Sequence, residues 1–267
     1  MKIKNAVIIL GPGKSGTTLF NDILSLHKDL YWISSYLNKH PNKTYLALLN
    51  NFKRVKFLEL LSRNRKKYPR PVESFLFWSY YIHNFHRNPN QFEPEEIRKV
   101  IGAVKDIERF QTGRRLVIKL TGPSRIAFLE EVFEDPYILW IDRDPRAIIA
   151  SFYSNKWKYK NREKEFIKKS KSDLIEEYAT YYNWIDKEKE ILKKFRFKKV
   201  NYESLTNNPI IFFKEVCEFL ELEYDQRFEK LVKSWNIKKD KNEKFRKLFN
   251  KDELHFMDEK LSFSKNP

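Results

Sequence analysis

The chain reads as an α/β fold, a central parallel sheet flanked by helices, and three features of the sequence predict it. Ala6 to Leu10 is a short unbroken apolar run, rich in branched residues and stopped by Gly11 and Pro12, as a strand buried on both faces requires. From Arg115 onward strand-length and helix-length segments alternate, the pattern of parallel β-α-β units. Apolar residues make up 41% of the 267 and aromatics 16%, ample for such a core and far from a disordered composition.

Each element follows in order. After the first strand, Leu19, Phe20, Ile23, Leu24 and Leu26 form an apolar stripe that predicts a helix from about Gly16, with Lys28 placed to complement its C-terminal end. Between about residues 29 and 114 the pattern loosens, and Pro41, Pro69, Pro71, Pro89 and Pro94 divide it into several short helices. This stretch is expected as a helical insertion walling a substrate cleft. Arg115 to Leu120 then predicts a strand, Ser124 to Phe133 a helix, Tyr137 to Asp142 a strand and Pro145 to Ser154 a helix. Asp173 and Glu176 are spaced as a capping pair for a long helix to about Lys194, Phe197 to Tyr202 returns to the sheet, and Pro209 to Glu221 is an amphipathic helix. The tail from Lys238 to Pro267 is mostly charged, yet Phe245, Phe249, Phe256 and Phe263 need something to pack against. With no internal repeat or low-complexity linker, a single domain over 1–267 is expected.

Lys and Arg number 53 against 36 Asp and Glu, a net charge of +17 that attracts polyanions, phosphorylated cofactors or acidic membranes. The lysines are scattered and no readout motif accompanies them, so no specific nucleic-acid partner is expected. Cys217 is the single cysteine, which excludes an intrachain disulfide and a cysteine-rich zinc site. The run Ala6 to Leu10 is too short for a secretory signal, and no stretch approaches the ~20 apolar residues that span a bilayer. A cytoplasmic protein without a transmembrane segment is the expectation. His83 and His86, at i and i+3, read as a helix surface and not as metal ligands.

Gly11 to Thr18 reads G-P-G-K-S-G-T-T between the first strand and the first helix. Gly11, Gly13 and Gly16 remove side chains where the backbone turns tightly. The amides of Lys14, Ser15, Gly16, Thr17 and Thr18 can then face an anion, aided by the helix N-terminus. The bland alternative is a turn that serves only chain reversal. Against the nucleotide-binding pattern G-x-x-x-x-G-K-[ST], Gly11, Gly16 and Thr18 fit, but Thr17 stands in the lysine position and the cation comes earlier, at Lys14. A P-loop kinase-like phosphotransferase, which would show magnesium-dependent ATP turnover, is therefore the second reading. A further segment, R-D-P-R-A-I-I-A-S, places Arg143 at the end of a strand and Ser151 on the next helix. There they offer a guanidinium fork and a hydroxyl to one phosphate, unless Arg143 merely pairs with Asp142 or Asp144.

Together these segments resemble the sulfotransferases that use 3′-phosphoadenosine 5′-phosphosulfate, in which an R/K-S-G-T-T loop holds the 5′-phosphosulfate and a strand ending in R-D-P-R, with a serine eight residues on, holds the 3′-phosphate. V-N-Y-E-S-L, Val200 to Leu205, is similar to that family's element near the nucleotide and includes Tyr202. The resemblance, over most of residues 3 to 222, implies a P-loop-like sulfotransferase fold. It further implies transfer of a sulfuryl group to a carbohydrate, lipid or small-metabolite acceptor, with adenosine 3′,5′-bisphosphate as product and no metal required. It points to Gly13, Lys14, Ser15, Gly16, Thr17, Thr18, Arg143, Ser151 and Tyr202 as nucleotide contacts. Lys14 and Lys119 become candidates for neutralising charge at the reacting centre, unless Lys119 is a solvated strand end. Several relatives carry a glutamate about twenty residues after the loop; here Ser34 and Ser35 stand in that neighbourhood. The candidates for accepting the acceptor's proton are then Glu73, between a proline turn and an aromatic run, and His40. Glu73 is preferred; its alternative role is that of a helix-start carboxylate.

Overall fold

The computed structural model describes residues 2–54, 69–237 and 242–261. Ile3–Lys4 (β1) pairs in parallel with Phe133–Glu134 (β5) as a two-stranded ribbon. The main sheet holds Val7–Leu10 (β2), Leu30–Trp32 (β3), Arg115–Lys119 (β4), Tyr137–Asp142 (β6) and Arg196–Asn201 (β7). It is wholly parallel, in the order β3-β4-β2-β6-β7. The helices are Thr17–Leu24 (α1), Ser35–Lys39 (α2), Phe75–Tyr81 (α3), Pro94–Arg109 (α4), Ile126–Val132 (α5), Pro145–Ser154 (α6), Glu163–Lys168 (α7) and Lys171–Leu192 (α8). They continue with Tyr202–Asn207 (α9), Pro209–Phe219 (α10), Gln226–Ser234 (α11), Phe245–Leu248 (α12) and Lys251–Lys260 (α13).

Alternation along each strand sends side chains to opposite faces, so a sheet covered on both sides needs apolar residues at every position. On β2, Ile8 and Leu10 join the core under α3 to α5, whereas Val7 and Ile9 join the core under α1, α10 and α11. All four are fully buried. A third cluster forms beside the sheet, where α6 and α8 receive Phe245, Phe249, Met257 and Leu261 from the C-terminal segment. The charged tail thus packs through its aromatics, with Phe256 partly buried at the same cluster; Phe263 lies outside the described residues.

Several elements differ from expectation, each for a physical reason. The insertion contains a sheet strand, β3, and a sixteen-residue helix, α4, alongside short helices, and residues 55–68 of it lie outside the described residues. Phe133 leaves its expected helix to begin β5, and Tyr202 opens α9 after β7 ends. The long helix α8 is capped by Ser170, whose hydroxyl accepts from Asp173 N, and Asp173 returns the bond as the third residue. The Asp173 and Glu176 pairing is therefore replaced by one three residues earlier. Helix α1 ends at Leu24, before Leu26. Lys28 binds Glu223 and Asp225, 3.0 Å away in the second case, and not a helix end. His83 follows α3 and His86 sits in a 3-10 turn, so the two do not share a helix face.

The edge strand depends on a close approach. A Cβ built on Gly113 would lie 2.5 Å from the carbonyl oxygen of Leu30 and 2.5 Å from Tyr31 N. Gly113→Ala is expected to cost about 1–3 kcal/mol through forced displacement of β3. Urea unfolding should read this as a lower midpoint with an unchanged slope.

Candidate active site

The connection leaving β2 heads for one edge of the sheet and that leaving β6 for the other, so the crevice above their C-terminal ends is where an open parallel sheet binds ligands. Both turns flagged in the sequence open there. The loop from Gly11 to Gly16 is shaped by left-handed backbone at Lys14 (φ 68°) and Gly16 (φ 100°), and Gly16 caps α1 without any side-chain hydrogen bond. The first-turn amides of α1 are thus left for a ligand. Lys14 and Thr18 are exposed at the mouth, whereas Ser15 is fully buried and its hydroxyl has no hydrogen-bond partner among the described residues. Ser15 N turns inward to Pro12 O at 3.3 Å, so this amide does not face an anion as the sequence reading expected. At Gly13 a side chain would meet the Phe152 ring, its Cβ falling 3.4 Å from the ring edge.

Arg143, 9% exposed, follows β6 and reaches back to the loop, with Nη1 donating to Lys14 O at 2.6 Å and Nε to Asn242 Oδ1 at 2.8 Å. Its guanidinium lies 4.3 Å above the Tyr202 ring. Burial lowers its pKa, opposed by Tyr202 and Glu203 nearby. Lys14, Gly16, Thr17, Thr18, Arg143, Ser151 and Tyr202 all line one cavity of about 600 Å³. Its remaining walls include Leu19, Trp235 and Ile237 on an apolar side and Lys244 and Leu248 from the C-terminal segment. Gly13 and Ser15 support the loop and are not part of that lining.

Lys119 is 7% exposed and so is not a solvated strand end. Its register beside Ile9 brings Nζ under the start of α1, where it donates to Thr18 Oγ1 at 3.0 Å. Glu73 Oε2 lies 3.9 Å from the same ammonium. Burial lowers the Lys119 pKa, partly countered by Glu73 and Asp22. Glu73 Oε1 accepts from Thr121 N at 2.6 Å and from the Thr121 hydroxyl. The segment carrying Glu73 is pinned to α2, because Pro71 bridges to Ser34 and Ser35 N donates to Arg70 O at 2.9 Å. The two serines that stand where the resemblance places a glutamate thus bind Arg70 and Pro71, just before Glu73 in the chain. His40 ends α2 on the exposed surface. Among the described residues, no cluster of three or more His, Cys, Asp or Glu is placed to hold a metal, and no helix is long and apolar enough to cross a membrane.

The profile described as Sulfotransferase family matches residues 6–226. The chain belongs to the sulfotransferase family. Solved structures agree on the fold. Sulfotransferase STF9 from Mycobacterium avium is 16% identical with a TM-score of 0.58, the match covering 88% of this chain and 68% of that one. The sulfotransferase domain from the curacin biosynthetic pathway is 13% identical with a TM-score of 0.59 over 99% of both chains. Mouse sulfotransferase SULT7A1, solved in complex with PAP, is 11% identical with a TM-score of 0.51 over 97% of this chain and 84% of that one. A search of curated proteins finds no match.

Three residues of this sulfotransferase's site escaped the sequence reading. Thr121 sits two residues beyond Lys119, signalled only by the Gly-Pro turn that follows. Arg125, 4% exposed, lies 4.7 Å over Phe75 and 5.0 Å over Phe85, close enough to Glu73 to interact electrostatically. Asn242 joins Arg143 to Glu203 from the far end of the chain, with no local signal at all.

Proposed function

We propose that this sulfotransferase moves a sulfuryl group from 3′-phosphoadenosine 5′-phosphosulfate to a hydroxyl or amine acceptor, with a carbohydrate, a lipid or a small metabolite as the acceptor class. The observation that carries this reading is one cavity lined at once by the loop residues Lys14, Thr17 and Thr18 and by Arg143 and Ser151. Two anion grips facing one space suit a nucleotide with phosphate at both the 5′ and 3′ positions. The apolar wall of Leu19, Trp235 and Ile237 gives an aromatic base a surface to lie on. Gly16, which caps α1 without a side-chain hydrogen bond, lines the same cavity together with Thr17 and Thr18 and leaves first-turn amides there for a phosphate. SULT7A1, of the same fold, was solved with PAP, the product that such a donor leaves.

In this reading the α1 amides and Lys14 hold the 5′-phosphosulfate, and Arg143 and Ser151 hold the 3′-phosphate above Tyr202. Charge on the moving SO₃ group and on the leaving phosphate oxygen is met by fixed amides and by Lys119, whose donor bond to Thr18 aims it at the loop. The reaction then calls for no metal. Glu73, partly exposed beside Lys119, takes the acceptor's proton.

Calorimetric titration with adenosine 3′,5′-bisphosphate tests the assignment. The wild type is expected to bind it well below millimolar, and Arg143→Ala to weaken binding by about 1.5–3 kcal/mol, roughly 10- to 150-fold, with the melting transition retained. A wild type that fails to bind overturns the reading, and an unchanged affinity in the variant makes Arg143 purely structural.

A further inference from the structure

The two oxygens of Glu73 stand in different surroundings. Oε1 takes both hydrogen bonds that Thr121 offers, one from the main-chain amide at 2.6 Å and one from the hydroxyl. Oε2 receives no hydrogen bond among the described residues and faces the Lys119 ammonium at 3.9 Å. Glu73 lies only 24% exposed, so the orientation of its carboxylate is set by protein contacts more than by solvent. The main chain two and three residues before it is tied to the start of α2, by the Ser34–Pro71 bridge and by the bond from Ser35 N to Arg70 O.

Resting on the reading of Glu73 as proton acceptor, we infer that Thr121 is the positioning residue for this carboxylate, occupying Oε1 so that Oε2 alone is presented to the acceptor. Two donors from one residue define the plane of the carboxylate as well as its position, which a single bond would not. The unoccupied oxygen then lies on the side of Lys119, the group that bonds Thr18 at the head of the nucleotide loop. In the reaction the acceptor oxygen forms the new bond to sulfur. The bond from sulfur to the bridging phosphate oxygen breaks with its electron pair left on the phosphate, and the acceptor's proton passes to Oε2. Thr121 N and Oγ1 keep their hydrogens throughout and touch no reacting atom. A carboxylate free to rotate would spend part of its time with both oxygens turned from the acceptor, and the rate of proton acceptance would fall accordingly.

The side chain is separable from the amide. Thr121→Val keeps the shape and the N–H but removes the hydroxyl, and Thr121→Ser restores the hydroxyl. The measurement is single-turnover breakdown of 3′-phosphoadenosine 5′-[³⁵S]phosphosulfate with water as acceptor, read as label released above the enzyme-free rate. It is paired with calorimetric affinity for adenosine 3′,5′-bisphosphate and crystal structures of wild type and Thr121→Val. The valine variant is expected to lose about tenfold in rate with its nucleotide affinity unchanged, the serine variant to stay within about twofold of wild type, and the Glu73 carboxylate to turn from the strand end only in the valine variant. A valine variant with wild-type rate and an unmoved carboxylate overturns the assignment. Glu73→Gln isolates the underlying reading: if it turns over like wild type, Glu73 is not the proton acceptor. If Glu73→Gln is inactive while Thr121→Val is not, only the role of Thr121 falls.

Discussion

Lys119→Met is expected to lower kcat by two to three orders of magnitude, the ~2.7–4 kcal/mol typical of removing one preorganised donor from developing negative charge, while the nucleotide still binds. The ammonium is buried, held by Thr18 Oγ1, and close to Glu73, so its charge acts in a site where water screens it little. Methionine keeps the length and apolar stem and deletes the ammonium together with its hydrogen bond to Thr18. Stability should move the other way. Burial depresses the Lys119 pKa below its ordinary value of 10.5, so the folded protein holds this proton less tightly than the unfolded chain does. Between the folded and unfolded values the unfolded state binds more protons, and wild-type stability therefore rises with pH across that window. Lys119→Met lacks this penalty. It should melt at or above the wild-type temperature at neutral pH, with the gap closing as the pH approaches 10.5; a gap that widens would mean the lysine is stabilised by its partners more than it is penalised by burial.

Gly16→Ala should be nearly as damaging, through the donor and not the chemical step. Gly16 has φ of 100°, and a Cβ there would fall inside van der Waals contact with the edge of the Tyr202 ring. Tyr202 is 5% exposed and supports Arg143 from below at 4.3 Å, so the ring cannot swing clear without disturbing the other grip. One methyl group therefore strains the loop, displaces the ring and shifts the guanidinium together. A left-handed alanine costs about 1–2 kcal/mol and the overlap about 1–3 more, so affinity for adenosine 3′,5′-bisphosphate should fall at least ~30-fold. The measurement is the same titration as for Arg143→Ala. Retained affinity would show that the loop relaxes without reaching Tyr202.

What was legible in the sequence is what is decided locally. A strand buried on both faces must be apolar throughout, so Val7–Leu10 and Tyr137–Asp142 announce themselves, and the glycines between strand and helix mark the loop by their own conformational chemistry. The cavity shared by Lys14 and Arg143 followed from placing two strands side by side. The rest is non-local. Leu30–Trp32 is three residues long, and its place in the sheet is fixed by Gly113 and by Asp29 O accepting from Arg114 and Arg115. Lys28 sits where a helix end would welcome it, but carboxylates almost two hundred residues away, Glu223 and Asp225, take it instead. Glu73 could be nominated from its neighbours. Its orientation could not, because that depends on Thr121 in the turn after β4.

The bond from Arg143 to Asn242 ties the cavity to the C-terminal segment. Every other residue that lines the cavity lies at or before Ile237, whereas the brace on the guanidinium, together with Lys244 and Leu248 of the wall, comes from residues 242–261. Phe245 and Phe249 then anchor that stretch on α6 and α8. The two ends of the polypeptide thus meet at one recess, the loop near the N-terminus lining it from the sheet side and residues 242–261 supplying one of its walls.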